Sequence, residues 1–265
     1  MMQFSRARVT LLESKTQIRE RFLGNLLAIV GDARLLWTPK STDTTGSTDE
    51  SLNARAITWD ATVASRLAAL GNGYGQSFDG AANYGTTPDQ ANFSFGNGAA
   101  DSSFSLLALA NVTDTANGRD LVSKNGATNA EWTYRITSAD KAALFLTDQS
   151  VGTSPHRDTD AAITQGAWAL FGVTYDQSAG SGATAANGIT HYANGLPVAS
   201  TATNSGTYVA MENLAAQVEI GSDTTHSANF FQGSLALIVI VAGALTAQQH
   251  WAVKRLVNAY FGLSL

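Results

Sequence analysis

Cysteine is absent from all 265 residues, so neither a disulfide framework nor a thiolate metal site can exist, and the fold has to be held by its core. Charge is scarce as well: Asp, Glu, Lys and Arg supply 14% of the chain, against about a quarter in an average domain. A long apolar run is also missing. The longest, Leu235 to Leu245, covers about half of what a bilayer-spanning helix needs, so no membrane insertion is expected. The opening MMQFSRARVTLLESKTQIRERFLGN carries charges throughout, which excludes reading it as a secretory signal peptide.

What remains is rich in small residues, with 24 glycines and 44% hydrophobic residues, a composition that predicts many short strands, tight turns and a large core. One main domain at 33–265, preceded by an arm and helix at 1–32, is the expected division. The charge is uneven: residues 1–66 hold nine Lys/Arg against seven Asp/Glu, and the rest hold seven against fourteen. An acidic body repels phosphates, so nucleic acid is not an expected partner.

A helix is predicted over Leu11 to Val30, capped by Thr10 and Glu13 and ended by Gly31, with Leu11, Ile18, Phe22, Leu26 and Ile29 on its apolar stripe. Ala33 to Trp37 reads as a first strand. The segment Lys40 to Asn53 reads as a loop too polar to pack, and Asp176 to Asn187 as a mobile surface loop. From Phe78 onward, period-two patterns are punctuated by turn pairs at Asp79-Gly80, Asn97-Gly98, Asn117-Gly118, Asn125-Gly126, Asn187-Gly188 and Asn194-Gly195, the signature of a sandwich or barrel. A closing helix starts at a capping box of Thr246 and Gln249, shows Trp251, Leu256, Val257 and Tyr260 on one face, and ends at Gly262.

Several segments, in order, resemble strands of the concanavalin A-like lectin/glucanase superfamily in its laminin-G-like branch. Ser77-Phe78-Asp79-Gly80 with Asn83-Tyr84, Phe104 to Leu109, Leu121-Val122-Ser123-Lys124, Gly166 to Asp176, His191 to Ser200, Val218 to Gly221 and Gly233-Ser234-Leu235 carry the resemblance. It implies an all-β jelly roll: two antiparallel sheets face to face, with added N- and C-terminal helices. One departure stands out. Where relatives place charges on the outward face of the last strand, this chain has Ala236, Leu237, Val239 and Gly243, so that face is expected to be dry, covered by a helix or by another subunit.

Glucan-cleaving relatives need paired carboxylates, and their acidic strand motif is missing here. The six glutamates, Glu13, Glu20, Glu50, Glu131, Glu212 and Glu219, are scattered, and no enzyme is expected. His156, His191, His226 and His250 lie in no ligand spacing and read as surface or turn residues. No cofactor is required, but the resemblance makes calcium the metal to consider, with Asp79, Asn83 and Asp223 as oxygen donors. The alternative is that these residues simply make turns. For a glycan, an aromatic platform with polar neighbours is required, and Tyr74, Tyr84, Trp132 and Tyr134 with Asn129 and Arg135 are the candidates, the alternative being that the rings are core. Two functions follow. One is a structural or decorating protein of a viral (phage) particle, assembling with other subunits through Leu11, Ile18, Phe22, Leu26, Ile29, Leu237 and Val239. The other is a carbohydrate-recognition module, with glycans as partners. Either places the chain at a virion surface or outside the cell.

Overall fold

The computed structural model describes residues 13–223 and 229–265. Helix α1 (Lys15–Val30) leads into strands β1 (Ala33–Trp37), β2 (Gly46–Thr48), β3 (Ala56–Trp59), β4 (Leu67–Leu70), β5 (Gly73–Asp79) and β6 (Gly85–Thr87). The middle of the chain supplies β7 (Phe104–Val112), β8 (Arg119–Lys124), β9 (Trp132–Ile136), β10 (Ala142–Leu146), β11 (His156–Thr159) and β12 (Trp168–Tyr175). Then come β13 (Ile189–Ala193), β14 (Leu196–Pro197), β15 (Ser200–Thr203), β16 (Val218–Ile220), β17 (Gln232–Ala242) and helix α2 (Ala247–Phe261).

The strands form two antiparallel sheets. Sheet A runs β14-β13-β12-β7-β17-β5-β4, and β1 extends the β17 edge beyond β5, pairing Trp37 with Ile238 while β5 pairs Gln76 with Leu235. Sheet B runs β15-β11-β10-β9-β8-β16-β6-β3-β2. Their facing sides enclose a core that includes Trp37, Trp59, Phe104, Trp132, Tyr134, Tyr175, Phe231 and Ile238. This is the expected jelly-roll sandwich.

A second core lies outside sheet A. Phe22, Leu23, Leu26 and Val30 of α1 and Val253, Val257, Tyr260 and Phe261 of α2 cover Leu107, Leu109, Leu170, Ala236, Leu237 and Val239. The Phe22 and Tyr260 rings stack with centroids 4.1 Å apart, and Gln249 Nε2 donates to Ile29 O at 2.8 Å, so the two helices form one cover. The apolar last strand is therefore dry on its outer side, as its sequence requires, and the cover comes from the chain itself. Phe22, Leu26, Leu237 and Val239, expected at an assembly interface, are consumed in this intramolecular packing. Ile18 and Ile29 flank it half-buried, and Leu11 lies outside the described residues.

Several expectations need correction. Helix α1 is capped by Ser14 and Gln17 rather than by Thr10 and Glu13: Gln17 N donates to Ser14 Oγ at 3.2 Å, and Ser14 N donates to Gln17 Oε1 at 2.9 Å. Glu13 precedes the helix and pairs with Arg21. The capping box of α2 is as expected, yet Trp251 sits on the exposed side and His250 on the buried one. The polar 40–53 segment does pack, because Asp49 is its internal acceptor: Leu36 N, Ser51 N and Arg55 N all donate to its buried carboxylate. The 176–187 segment folds partly into a 3-10 helix, Gly182–Gly188, with Ala185 and Ala186 buried. His191 and His250 are core residues, and burial pushes both rings down to about 4, so both are neutral.

Truncating the second core tests its role. Leu26→Ala removes a fully buried side chain, and denaturant unfolding should show a loss of about 2–5 kcal/mol.

Candidate functional site

With sheet A closed by helices, the broad sheet surface left without a helical cover among the described residues is the outer side of sheet B. Its composition follows from strand parity. On β9, Trp132, Tyr134 and Ile136 point into the core, so Thr133 and Arg135 point outward. Register carries that side across the sheet: Thr86, Glu219, Ser123, Thr133, Phe145, His156 and Thr203 follow one another as direct cross-strand partners on β6, β16, β8, β9, β10, β11 and β15. The neighbouring row runs Asp120, Arg135, Ala143, Asp158 and Thr201.

Within this polar face, Gly118, Arg135, Thr137, Ser138, Phe145 and Asn229 line a cavity of about 190 Å³. It adjoins a wider one of about 600 Å³, with which it shares Gly118, Ser138 and Asn229. Arg135 is the central donor. Its guanidinium passes over Gly118, where a Cβ would collide with it, and its Nε stands 3.0 Å from Asp120 Oδ1. The pair attracts as charges without the alignment of a hydrogen bond. Arg135 keeps 21% of its side chain exposed, while Asp120 keeps 1%. Phe145 stacks on His156 with centroids 4.6 Å apart, which fixes an aromatic ring beside the guanidinium.

Behind this rim the carboxylates are buried and electrostatically shifted. Burial pushes Asp120 up to about 7, with Arg135 opposing the shift and Asp223 reinforcing it. Burial and then Asp223 push Glu219 up to about 9. Both acids therefore hold their protons to higher pH than a solvated carboxyl does. Yet Asp120 and Glu219 are 1% and 0% exposed, so neither reaches a glycosidic bond.

The sequence-based glycan set is not assembled. Trp132 and Tyr134 are fully buried core residues and cannot stack on a sugar. Tyr74 lies on sheet A, half-buried in a separate cleft with Arg19, Lys40 and Glu50. Tyr84 is half-buried with its ring 6.4 Å from that of Phe230, and Asn129 sits in the turn before β9. Of the six, Arg135 lines the outer-face cavity. Phe145, Asp120, His156 and Asp158 were missed, although the alternation in Trp132-Thr133-Tyr134-Arg135-Ile136 signals that Arg135 faces away from the two rings.

Asp79 and Asn83 do meet, as a turn. Asp79 Oδ1 accepts from Ala81 N, Ala82 N and Asn83 N at 2.9, 2.9 and 3.1 Å, and Asn83 Oδ1 accepts from Asp79 N at 3.1 Å. Desolvation works to raise the Asp79 carboxyl, but these N–H groups together hold it below its usual value. Asp223 is elsewhere, beside Asp120 and Glu219. Among the described residues no group of three or more His, Asp or Glu is arranged to hold a metal ion, and no helix is long and apolar enough to cross a membrane.

The fold and the polar outer sheet define a lectin-type antiparallel sandwich. Residues 79–249 match the laminin-G-like profile of the concanavalin A-like lectin/glucanases superfamily, and the chain belongs to that family. Among curated protein sequences none matches it. It is similar to the binding domain of Paraclostridial Mosquitocidal Protein 1, with a TM-score of 0.58 and 15% identity over 88% of this chain and 53% of the other, and so spans about half that chain's length. It is similar to domain 4 of AbnA, an extracellular arabinanase from Geobacillus stearothermophilus, in complex with arabinotriose, with a TM-score of 0.54 and 18% identity over 84% and 99% of the two chains. It is also similar to the CBM40 domain of the Ruminococcus gnavus IT-sialidase bound to α2,3-sialyllactose, with a TM-score of 0.50 and 13% identity over 68% and 96%. These structures are for the most part binding domains, some belonging to sialidases.

The buried acids predict a pH response. A carboxyl raised on folding binds its proton more tightly in the folded state, so stability falls as pH rises from the unfolded value to the folded one. For Asp120 the window is about 4 to 7 and for Glu219 about 4.5 to 9, each with a slope approaching about 1.4 kcal/mol per pH unit. Urea unfolding between pH 5 and 8 should show this decline, and Glu219→Gln should flatten it.

Proposed function

We propose that this chain is a non-catalytic glycan-binding module whose site is the outer face of sheet B around Arg135 and Phe145. The carrying observation is the juxtaposition of a fixed aromatic ring and a partly exposed guanidinium on one cavity wall. A sugar presents an apolar C–H face and a ring of hydroxyls, so it needs a flat ring to cover the first and oriented donors for the second. Phe145, held by His156, suits the first requirement. Arg135, fixed by Asp120, suits the second, and Asp158 and Thr201 extend the polar row along the sheet. Two of the similar structures are complexes with arabinotriose and α2,3-sialyllactose, which supports a glycan as the ligand class here. Such a module would act at a cell or particle surface. A structural role in a viral particle loses one of its supports, because α1 packs its apolar face on the chain's own sheet.

A glycan array followed by titration calorimetry tests the reading. The parent should bind a defined glycan set, and both Arg135→Ala and Phe145→Ala should weaken binding at least about tenfold, or about 1.4 kcal/mol, with the Phe145→Ala unfolding midpoint close to the parent's. Silence across the array, or unaltered binding by both variants, would overturn it.

A further inference from the structure

A second cavity lies far from Arg135 in character. At one end of the sandwich, between β10 and β11 of sheet B and β12 and β13 of sheet A, a cleft of about 570 Å³ opens to the surface. Its origin is legible in the inward positions of two strands. On β10 they run Leu146, Leu144 and then Ala142, and on β12 they run Tyr175, Val173, Phe171 and then Ala169. Both series narrow to alanine at the same end, so the sheets stay at their spacing while the side chains that would fill the gap are missing. Interiors otherwise pack without voids larger than a water molecule.

The walls specify the occupant. Phe171 and Ile163 give the apolar surface, Ala142, Ala169 and Ala193 leave the room between the sheets, and Asp160 is the one charged side chain among the described residues of the lining. An anionic amphiphile would bring its charge to that carboxylate with no cation in the wall to receive it. The size lies within the range that encloses most of a small organic molecule, about 300–1,000 Å³.

We propose that this cleft is a binding site for an uncharged, ring-containing apolar small molecule, distinct from the glycan site and independent of that reading. The ligand inserts between the sheets against Phe171 and Ala169, with a polar edge toward Asp160 and Asn194 at the mouth.

The neutral fluorophore N-phenyl-1-naphthylamine serves as the probe on the full chain, with its anionic analogue 8-anilinonaphthalene-1-sulfonate as control. Saturable uptake of the neutral probe is expected, at least about tenfold tighter than that of the anionic one. Ala169→Leu, which fills the cleft from the wall, should weaken uptake by at least about tenfold, while Arg135→Ala should bind the probe as the parent does. Backbone amide shifts in the parent should concentrate at Ile163, Ala169 and Asn194, a readout that stands even where Ala169→Leu fails to fold. No saturable uptake, preference for the anionic probe, or shifts confined to other parts of the chain would overturn the proposal.

Discussion

Strand β17 is apolar on both sides. Leu235, Ile238 and Ile240 enter the inter-sheet core, while Ala236, Leu237 and Val239 face the other way and are equally dry. A strand of this kind, central in its sheet and paired along its length with the likewise buried β7, cannot leave its second side in water: each exposed Leu or Val side chain would forgo about 1.5–3 kcal/mol of burial. Helices α1 and α2 answer that constraint. Their stacked aromatic contact and the Gln249 bridge to the end of α1 close the outer side of sheet A.

Closure of one side assigns the opposite one its role. Sheet B carries hydroxyls, carboxylates, an arginine and the stacked rings of Phe145 and His156 along its outward rows, where Ser123, Thr133, Asp120 and Glu219 are themselves buried. Ordering in that face comes instead from buried charge. Asp120, almost without solvent, disfavours ionisation by itself, and Arg135 is its compensating partner. Removing either member would strand the other in a poorly solvated place.

Much of this was legible in the residues. The order of strand segments, the β1 strand, the Thr246 capping box and the need to cover β17 all follow from local pattern and polarity. The failures share one cause, the neglect of side-chain direction and of internal satisfaction. Trp132 and Tyr134 sit near Arg135 in sequence, yet period-two parity puts them on the side opposite to it. The 40–53 segment looked too polar to bury because composition does not reveal that Asp49 accepts three backbone N–H groups. The cap of α1 falls at Ser14, whose hydroxyl and Gln17 form the reciprocal box that local spacing alone does not single out. Phe145 was invisible as a site residue because its significance lies in register, as the cross-strand neighbour of Thr133 and His156.

The same geometry bears on whether the outer face could do chemistry. A pair of carboxylates with separated protonation states is what glycoside hydrolysis employs, but both groups must flank the scissile bond within about 5–10 Å of each other. Asp120 and Glu219 lack that access, being 1% and 0% exposed.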